Sequence, residues 1–132
     1  MASIPASHRA LLDAPVGVLA TIGAADAPQA TALWFLFDES EGVVRLSLSN
    51  TRQKTRNIQR HPKVSLLIFD PATPYRTIEL RGSVQIADDP DYAFARQLGA
   101  KYGGADLRAM DGPGDSRVVV TLRPRKVLTW GE

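Results

Sequence analysis

The sequence contains no cysteine and only two histidines among its 132 residues. Without cysteine there is no disulfide framework, no thiolate metal ligand and no cysteine nucleophile. His8 and His61 lie far apart and outside any metal-ligand spacing, so we predict no metal site. No segment approaches the roughly 20 apolar residues that cross a membrane, and residues 1–5 do not resemble a signal peptide. We therefore expect a cytoplasmic protein without a membrane partner.

Several motifs of common function classes are also missing. The chain has no GxGxxG after its first predicted strand, no P-loop and no G-x-S-x-G elbow, which argues against Rossmann, Walker and hydrolase sites. The net charge of +2 is too small to indicate nucleic-acid binding by overall electrostatics, and we expect no nucleic-acid partner. A basic run between Arg52 and Lys63 leaves that alternative open, and it would show as a steep salt dependence of affinity.

What the sequence does contain is typical of one globular domain over residues 1–132, with a hydrophobic content of 44% that suffices for a core. Period-two patterns and β-branched runs predict strands over residues 16–22, 29–38, 43–49, 64–70, 75–87, 117–122 and 126–130. Helices are predicted over residues 3–14, 52–60 and 88–102. Residues 103–116 read as a mobile loop with a helical turn at 106–110. Short turns favour antiparallel pairing, which indicates a closed or nearly closed barrel with helices at its ends.

The segment after the third predicted strand is the most informative. Thr51 is a candidate N-cap for the helix that follows, and Arg52 and Lys54 bring two cations to its first turn. Unpaired N–H groups and the helix dipole favour an anion at such a place. Ser47 and Ser49 share one face of the preceding strand, so the sequence predicts an anion site here.

Two other features, an acidic cluster and a pair of aromatic residues, each have a functional and a structural interpretation. Asp88, Asp89 and Asp91 resemble a carboxylate cluster, but their place before a helix indicates capping. Trp34 and Phe35 are adjacent in a predicted strand, where neighbours point to opposite faces. At least one of the two should therefore leave the core and face a ligand or a partner.

Five short motifs occur in an order typical of one superfamily. They are Gly-Val-Leu-Ala-Thr at 17–21, Pro-Gln at 28–29, Thr-Arg-Gln-Lys-Thr-Arg-Asn-Ile at 51–58, His-Pro-Lys-Val at 61–64 and Tyr-Arg-Thr-Ile-Glu-Leu-Arg-Gly at 75–82. This order resembles the pyridoxamine-phosphate-oxidase-like (PPOX class) split β-barrel superfamily. Within it, the chain is most similar to the B group of flavin/deazaflavin oxidoreductases, which use coenzyme F420. The resemblance spans residues 14–130.

The resemblance implies a mainly β (α+β) fold: a split β-barrel of the FMN-binding kind with short helices, assembled as a homodimer with two sites at the interface. It implies a cofactor phosphate beside Arg52 and Lys54, supported by Ser47, Ser49, Asn50 and Thr55. The tricyclic ring would lie along the second and third strands, where backbone groups near Thr31 and Leu33 bond its edge. Tyr75, Arg76 and Trp130 would come from the other subunit or line the substrate opening.

The function implied is that of an F420-dependent reductase, which transfers a hydride to an unsaturated or quinone-like small molecule. No residue stands out as a catalytic acid. An FMN-binding oxidoreductase of the same fold is one alternative, and a non-catalytic protein that binds the cofactor or a haem-type ligand is another. Because the second strand carries no Arg-x-x-x-Leu-Lys pattern, the sequence argues against vitamin B6 oxidation.

Overall fold

The computed structural model describes residues 2–131, which form eight strands, two α-helices and three short 3-10 helices. The strands are β1 (Gly17–Ile22), β2 (Pro28–Leu33), β3 (Leu36–Asp38), β4 (Val43–Ser49), β5 (Lys63–Asp70), β6 (Thr73–Asp88), β7 (Arg117–Leu122) and β8 (Lys126–Trp130). The α-helices are α1 (Gln53–Arg60) and α2 (Ala93–Lys101), and the 3-10 helices are Ala6–Asp13, Ala24–Asp26 and Leu107–Met110.

The long strand β6 joins two halves of one antiparallel sheet with the order β2-β1-β5-β6-β7-β4-β3. Its first part pairs with β5 and β8, and residues 84–88 pair with β7. Gly82 lies just before this change of partner, where an added Cβ would come 2.5 Å from the carbonyl oxygen of Arg123. Only glycine tolerates so close an approach of two backbones. The chain therefore folds as the split β-barrel that the family resemblance implies.

Two hydrophobic cores hold this sheet in shape. The larger core fills the barrel with side chains such as Leu46, Leu66, Ile68 and Leu80, all fully buried. A smaller one lies beneath α2. Its buried members are Phe94, Ala95, Leu98 and Leu107. Burial of this much apolar surface is the main force that stabilises the fold.

The prediction of a single strand over residues 29–38 is wrong. The strand breaks at Trp34 and Phe35, and β3 then runs in the other half of the sheet. Side chains from the end of α2 replace the missing strand partner: Tyr102 Oη accepts from Phe35 N at 3.1 Å, and Lys101 Nζ donates to Phe35 O at 2.9 Å. Tyr102 lies 67 positions from Phe35 in the sequence, so the local pattern of residues does not indicate the break.

The helix ends also differ from the predictions. Arg52, not Thr51, is the N-cap of α1, and no side chain caps this helix. Helix α2 begins at Ala93, and Asp89 accepts from the backbone N–H groups of Phe94 and Ala95. The capping role predicted for the acidic cluster is thereby confirmed for Asp89. No helix within residues 2–131 has the length and apolar character needed to cross a membrane.

Candidate functional site

A cavity of about 360 Å³ lies between the end of β4, the start of α1 and the loop before β7. Its volume falls in the range of about 300–1,000 Å³ that small-molecule sites occupy. The apolar wall consists of Leu33, Trp34, Leu48, Leu98, Leu107 and Met110. The polar lining consists of Ser47, Ser49, Arg52, Lys54, Asp111, Asp115 and Arg117. A larger hollow of about 590 Å³ beside Gln85 and Arg125 contains none of the predicted site residues.

Ser47 lines this cavity, and its hydroxyl oxygen is buried. The residue is 9% exposed, and its Oγ has no hydrogen-bond partner within residues 2–131. A buried polar group without a partner costs about 1–3 kcal/mol. A ligand oxygen placed in the cavity would remove that cost.

The start of α1 brings two cations to the same cavity. Lys54 forms no ion pair with any described residue. Burial lowers the pKa of Lys54, and the positive charges of Arg52 and Arg117 lower it further. An anion bound between these side chains would raise the pKa of Lys54 again, because a nearby negative charge favours the protonated ammonium group. Thr55 fixes this end of the helix by donating to the carbonyl oxygen of Ser49 at 2.7 Å.

Arg117 and Asp111 form the most buried ion pair of the site. The guanidinium donates through Nε and Nη2 to the two oxygens of Asp111, with a shortest distance of 2.7 Å, and Tyr92 Oη donates to the same carboxylate at 2.7 Å. The hydrogen bond from Arg117 lowers the pKa of Asp111. Arg117 Nη1 also donates to Ser47 O at 3.3 Å. This pair therefore ties the loop before β7 to the floor of the cavity.

A second carboxylate, that of Asp115, reaches the end of β4. Its Oδ1 accepts from Thr51 Oγ1 at 2.9 Å and from Ser49 Oγ at 3.4 Å. Next to it, Asn50 and Ser116 are joined twice: Asn50 N donates to Ser116 O at 2.9 Å, and Ser116 N donates to Asn50 Oδ1 at 3.0 Å. The hydroxyl of Thr51, expected to cap α1, is thus bonded to the loop.

Aromatic stacking forms part of the apolar wall. The rings of Trp34 and Tyr102 lie parallel, with centroids 4.2 Å apart. Phe35 next to them is fully buried, whereas Trp34 lines the cavity. One of the two neighbouring aromatic residues thus leaves the main core, as predicted, and Trp34 packs partly buried against the smaller core. That it faces a ligand or a partner stays a prediction.

The face of β2 that carries Thr31 and Leu33 is turned toward α1. Asn57 of α1 donates to Gln29 Oε1 at 2.8 Å, and Gln29, Thr31 and Leu33 alternate along one side of the strand. Leu33 lines the cavity, and Thr31 lies one step further along the same face.

Tyr75, Arg76 and Trp130 lie elsewhere, where β6 meets the end of β8. Thr77 pairs with Trp130, and Arg76 donates to the carbonyl of Ser7. Tyr75 is 65% exposed and Trp130 is 72% exposed. None of the three lines the cavity of its own chain. Their contribution from a second subunit stays a prediction.

Sequence reasoning missed three charged residues of the cavity. Asp111, Asp115 and Arg117 belong to, or directly follow, a segment treated as a loop without chemistry. No local pattern in residues 103–116, which were expected to form a mobile loop, pointed to them. That segment does line the cavity, through Leu107 and Met110 among others.

Comparison with known proteins agrees with this architecture. Residues 4–131 match the family described as pyridoxamine 5'-phosphate oxidase. A solved structure named F420 Reductase is 37% identical, with a TM-score of 0.81 over 95% of this chain and 98% of that chain. A conserved hypothetical protein from Mycobacterium tuberculosis is 25% identical, with a TM-score of 0.77 over 98% of this chain and 86% of that one. A heme binding protein from Mycobacterium smegmatis is 22% identical, with a TM-score of 0.72 over 99% of this chain and 56% of that one, and shares the fold.

The sheet, the cavity and these likenesses define a split β-barrel of the flavin/deazaflavin oxidoreductase type. The chain belongs to the pyridoxamine 5'-phosphate oxidase family.

Proposed function

We propose that this protein is an F420-dependent oxidoreductase that delivers a hydride to an unsaturated or quinone-like small molecule. One observation carries the proposal: Arg52, Lys54 and Ser47 line one cavity whose apolar wall contains Trp34, and the buried Ser47 hydroxyl has no partner within residues 2–131. The likeness to the structure named F420 Reductase, at 37% identity over nearly the whole of both chains, supports the choice of cofactor.

The donor set of the cavity fits a phosphate group. Arg52 and Lys54 would bind its oxygens through charge-assisted hydrogen bonds, which are about twice as strong as neutral ones. Ser47 Oγ would gain the partner that it lacks within the described chain. Asn50 and Thr55 have a supporting role, because their own bonds hold the end of β4 against α1 and β7.

The neighbouring wall fits a flat ring. Leu33 and Trp34 offer apolar surface next to the cations, and the polar edge of β2 near Thr31 offers backbone groups to a ring edge. A bound deazaflavin supplies the hydride itself. The chain then has to orient the ring, exclude water from one of its faces and leave the other face open to the substrate. No side chain of the cavity stands out as a proton donor, so solvent is the proposed proton source.

A homodimer would complete the site in this proposal. Tyr75, Arg76 and Trp130 are exposed or half-buried on the surface of a single chain, and two of them are large aromatic residues. Exposed aromatic side chains of this kind are enriched at protein interfaces. A second copy that covers them would bring them to the opening of the partner's cavity.

The two alternative ligands, FMN and a haem-type group, need different residues in the cavity. FMN has the same combination of a phosphate and a tricyclic ring, so the same residues fit it. A haem-type ligand is less well served, because neither His8 nor His61 lines the cavity and the buried His8 is bonded to Trp130 O. The heme binding neighbour at 22% identity supports the fold alone.

Fluorescence titration of the purified protein with F420 and with FMN tests the proposal. We expect preferential binding of F420, at micromolar concentration or tighter, followed by oxidation of reduced F420 when enones or quinones are added. Preferential binding of FMN would show that the cofactor is FMN and not F420. Binding of F420 without turnover would show that the protein is a carrier and not an enzyme. Failure to bind either would refute the site.

A further inference from the structure

The carboxylate of Asp115 lies inside the predicted phosphate site. Its two oxygens accept from three donors: Thr51 Oγ1 at 2.9 Å, Ser49 Oγ at 3.4 Å and Gly112 N at 2.8 Å. Hydroxyl and backbone N–H groups are also the donors that proteins use to bind phosphate oxygens. Asp115 thus occupies donors that a ligand phosphate next to Arg52 and Lys54 would reach.

The position of this carboxylate is built into the fold. Asp115 N donates to Gly112 O at 3.1 Å, and the next residue, Ser116, is bonded twice to Asn50. Strand β7 then continues in register with β4, where Ser49 lies opposite Arg117. The carboxylate is therefore held from one side by a turn within its own loop and from the other by the bonds that join Ser116 to Asn50 at the end of β4.

No cation neutralises Asp115. It forms no ion pair within residues 2–131, and the nearby Arg117 is already engaged by Asp111. A phosphate bound beside it would meet a full negative charge as well as two positive ones. The energy of that repulsion is proportional to the charge on the phosphate.

The candidate cofactors differ in this charge. In F420 the phosphate joins the deazaflavin side chain to a lactyl-oligoglutamate tail, so it is a diester with one negative charge. In FMN the phosphate is a terminal monoester, which carries roughly −1.5 to −2 at neutral pH. A fixed carboxylate next to the site therefore penalises FMN more than F420.

We infer that Asp115 is a specificity-determining residue that disfavours terminal phosphate monoesters and so selects the phosphodiester of F420 over FMN. The inference rests on the proposed function, since it requires the phosphate to bind beside Arg52 and Lys54. In water-like screening at roughly 6 Å, each unit of phosphate charge is worth about threefold in affinity. The carboxylate thus contributes about fivefold to tenfold against a monoester and about threefold against a diester.

Affinities of the wild type and Asp115→Asn for F420, FMN and riboflavin test this inference. We expect the substitution to raise FMN affinity about fivefold to tenfold and F420 affinity about threefold, and to leave the affinity for riboflavin, which has no phosphate, unchanged. Asp115→Ser serves if the asparagine variant does not fold. Asp115→Glu, which keeps the charge, should keep the preference for F420.

Asp106→Asn is the matched control. It removes one negative charge from the same loop, and Asp106 itself does not line the cavity. Its side chain accepts from Arg108 N and caps the 3-10 helix Leu107–Met110. Asparagine caps as well as aspartate, so this variant should bind all three ligands as the wild type does.

The failures of the two proposals are distinguishable. If F420 is preferred by the wild type but Asp115→Asn changes FMN and F420 equally, or neither, the role of Asp115 is refuted and the proposed function stands. If neither the wild type nor Asp115→Asn binds FMN better than riboflavin, and neither binds F420, the phosphate site itself is refuted and both proposals are wrong.

Discussion

Trp34 and Tyr102 stack with their ring centroids 4.2 Å apart and their planes inclined by 6°. The stack connects the end of β2 to the end of α2, and the Tyr102 hydroxyl donates to Pro15 O at 2.7 Å and accepts from Phe35 N at 3.1 Å. The wall of the cavity therefore depends on a side chain that follows α2. Stability and cofactor binding should be coupled through it.

Tyr102→Phe should destabilise the protein by about 1–3 kcal/mol, because the ring stack survives while the N–H of Phe35 loses its partner. Urea unfolding of the variant measures this loss. Tyr75→Phe is the matched control, since Tyr75 is 65% exposed, and it should stay within about 0.5 kcal/mol of the wild type. Equal stability of the two variants would show that the hydroxyl of Tyr102 has no structural role.

Lys54→Ala and Arg52→Ala should each weaken cofactor binding by about 1.5–3 kcal/mol, because each removes a charge-assisted contact to phosphate. Lys63→Ala removes an exposed cation at the start of β5, outside the cavity, and should leave binding unchanged. Fluorescence titration compares the three variants. Wild-type affinity in folded Lys54→Ala and Arg52→Ala would contradict the placement of the phosphate.

The pKa of Lys54 predicts how cofactor binding depends on pH. Burial lowers this pKa from its ordinary 10.5, and a bound phosphate would raise it again. Cofactor affinity should therefore be constant at low pH. It should fall as the pH rises through the lowered pKa of Lys54 in the free protein, so the fall begins below pH 10.5. Lys54→Arg should move the fall to higher pH, because a guanidinium keeps its proton to a higher pH than an ammonium group does. Titrations across the alkaline range measure both curves, and coincident curves would refute the role of Lys54.

Ser47→Ala should act in opposite directions on the free protein and on the complex. The free protein should be equally stable or up to about 1 kcal/mol more stable, because the variant removes a buried hydroxyl without a partner. Cofactor affinity should fall by about 0.5–1.5 kcal/mol. Ser65→Ala is the contrast, since Ser65 Oγ donates to Glu79 at 2.6 Å and its loss should destabilise the protein. A Ser47→Ala protein that is less stable than the wild type would contradict this reading.

The proposed dimer gives a prediction for Trp130. Light scattering at micromolar concentration should show two chains per particle. Trp130→Ala should weaken cofactor binding with little effect on the stability of the single chain, because the side chain is 72% exposed there. A monomeric wild type would contradict the dimer, and unchanged binding by the variant would remove Trp130 from the site.

Much of this fold follows from local sequence. The alternation in β4 and the apolar runs of β1 and β5 predict those strands, and Pro62 predicts the end of α1. Such features depend on neighbours within a few positions, where side-chain direction and backbone preference act directly. The break at Trp34 and Phe35 does not, because the groups that replace the strand partner belong to Lys101 and Tyr102.

The candidate site also combines residues predicted from local sequence with residues that only the tertiary structure brings together. The sequence by itself determined that Arg52 and Lys54 follow two serines of a strand at a helix start, since their spacing alone puts them at one end of β4. Only the tertiary structure decided that Asp111, Asp115 and Arg117 face them. Ser49 and Asp115 are 66 positions apart, and they meet because β4 and β7 pair in a register that sets Ser49 opposite Arg117. That register depends on how two strands distant in the sequence match each other, so the pattern of either strand alone does not specify it.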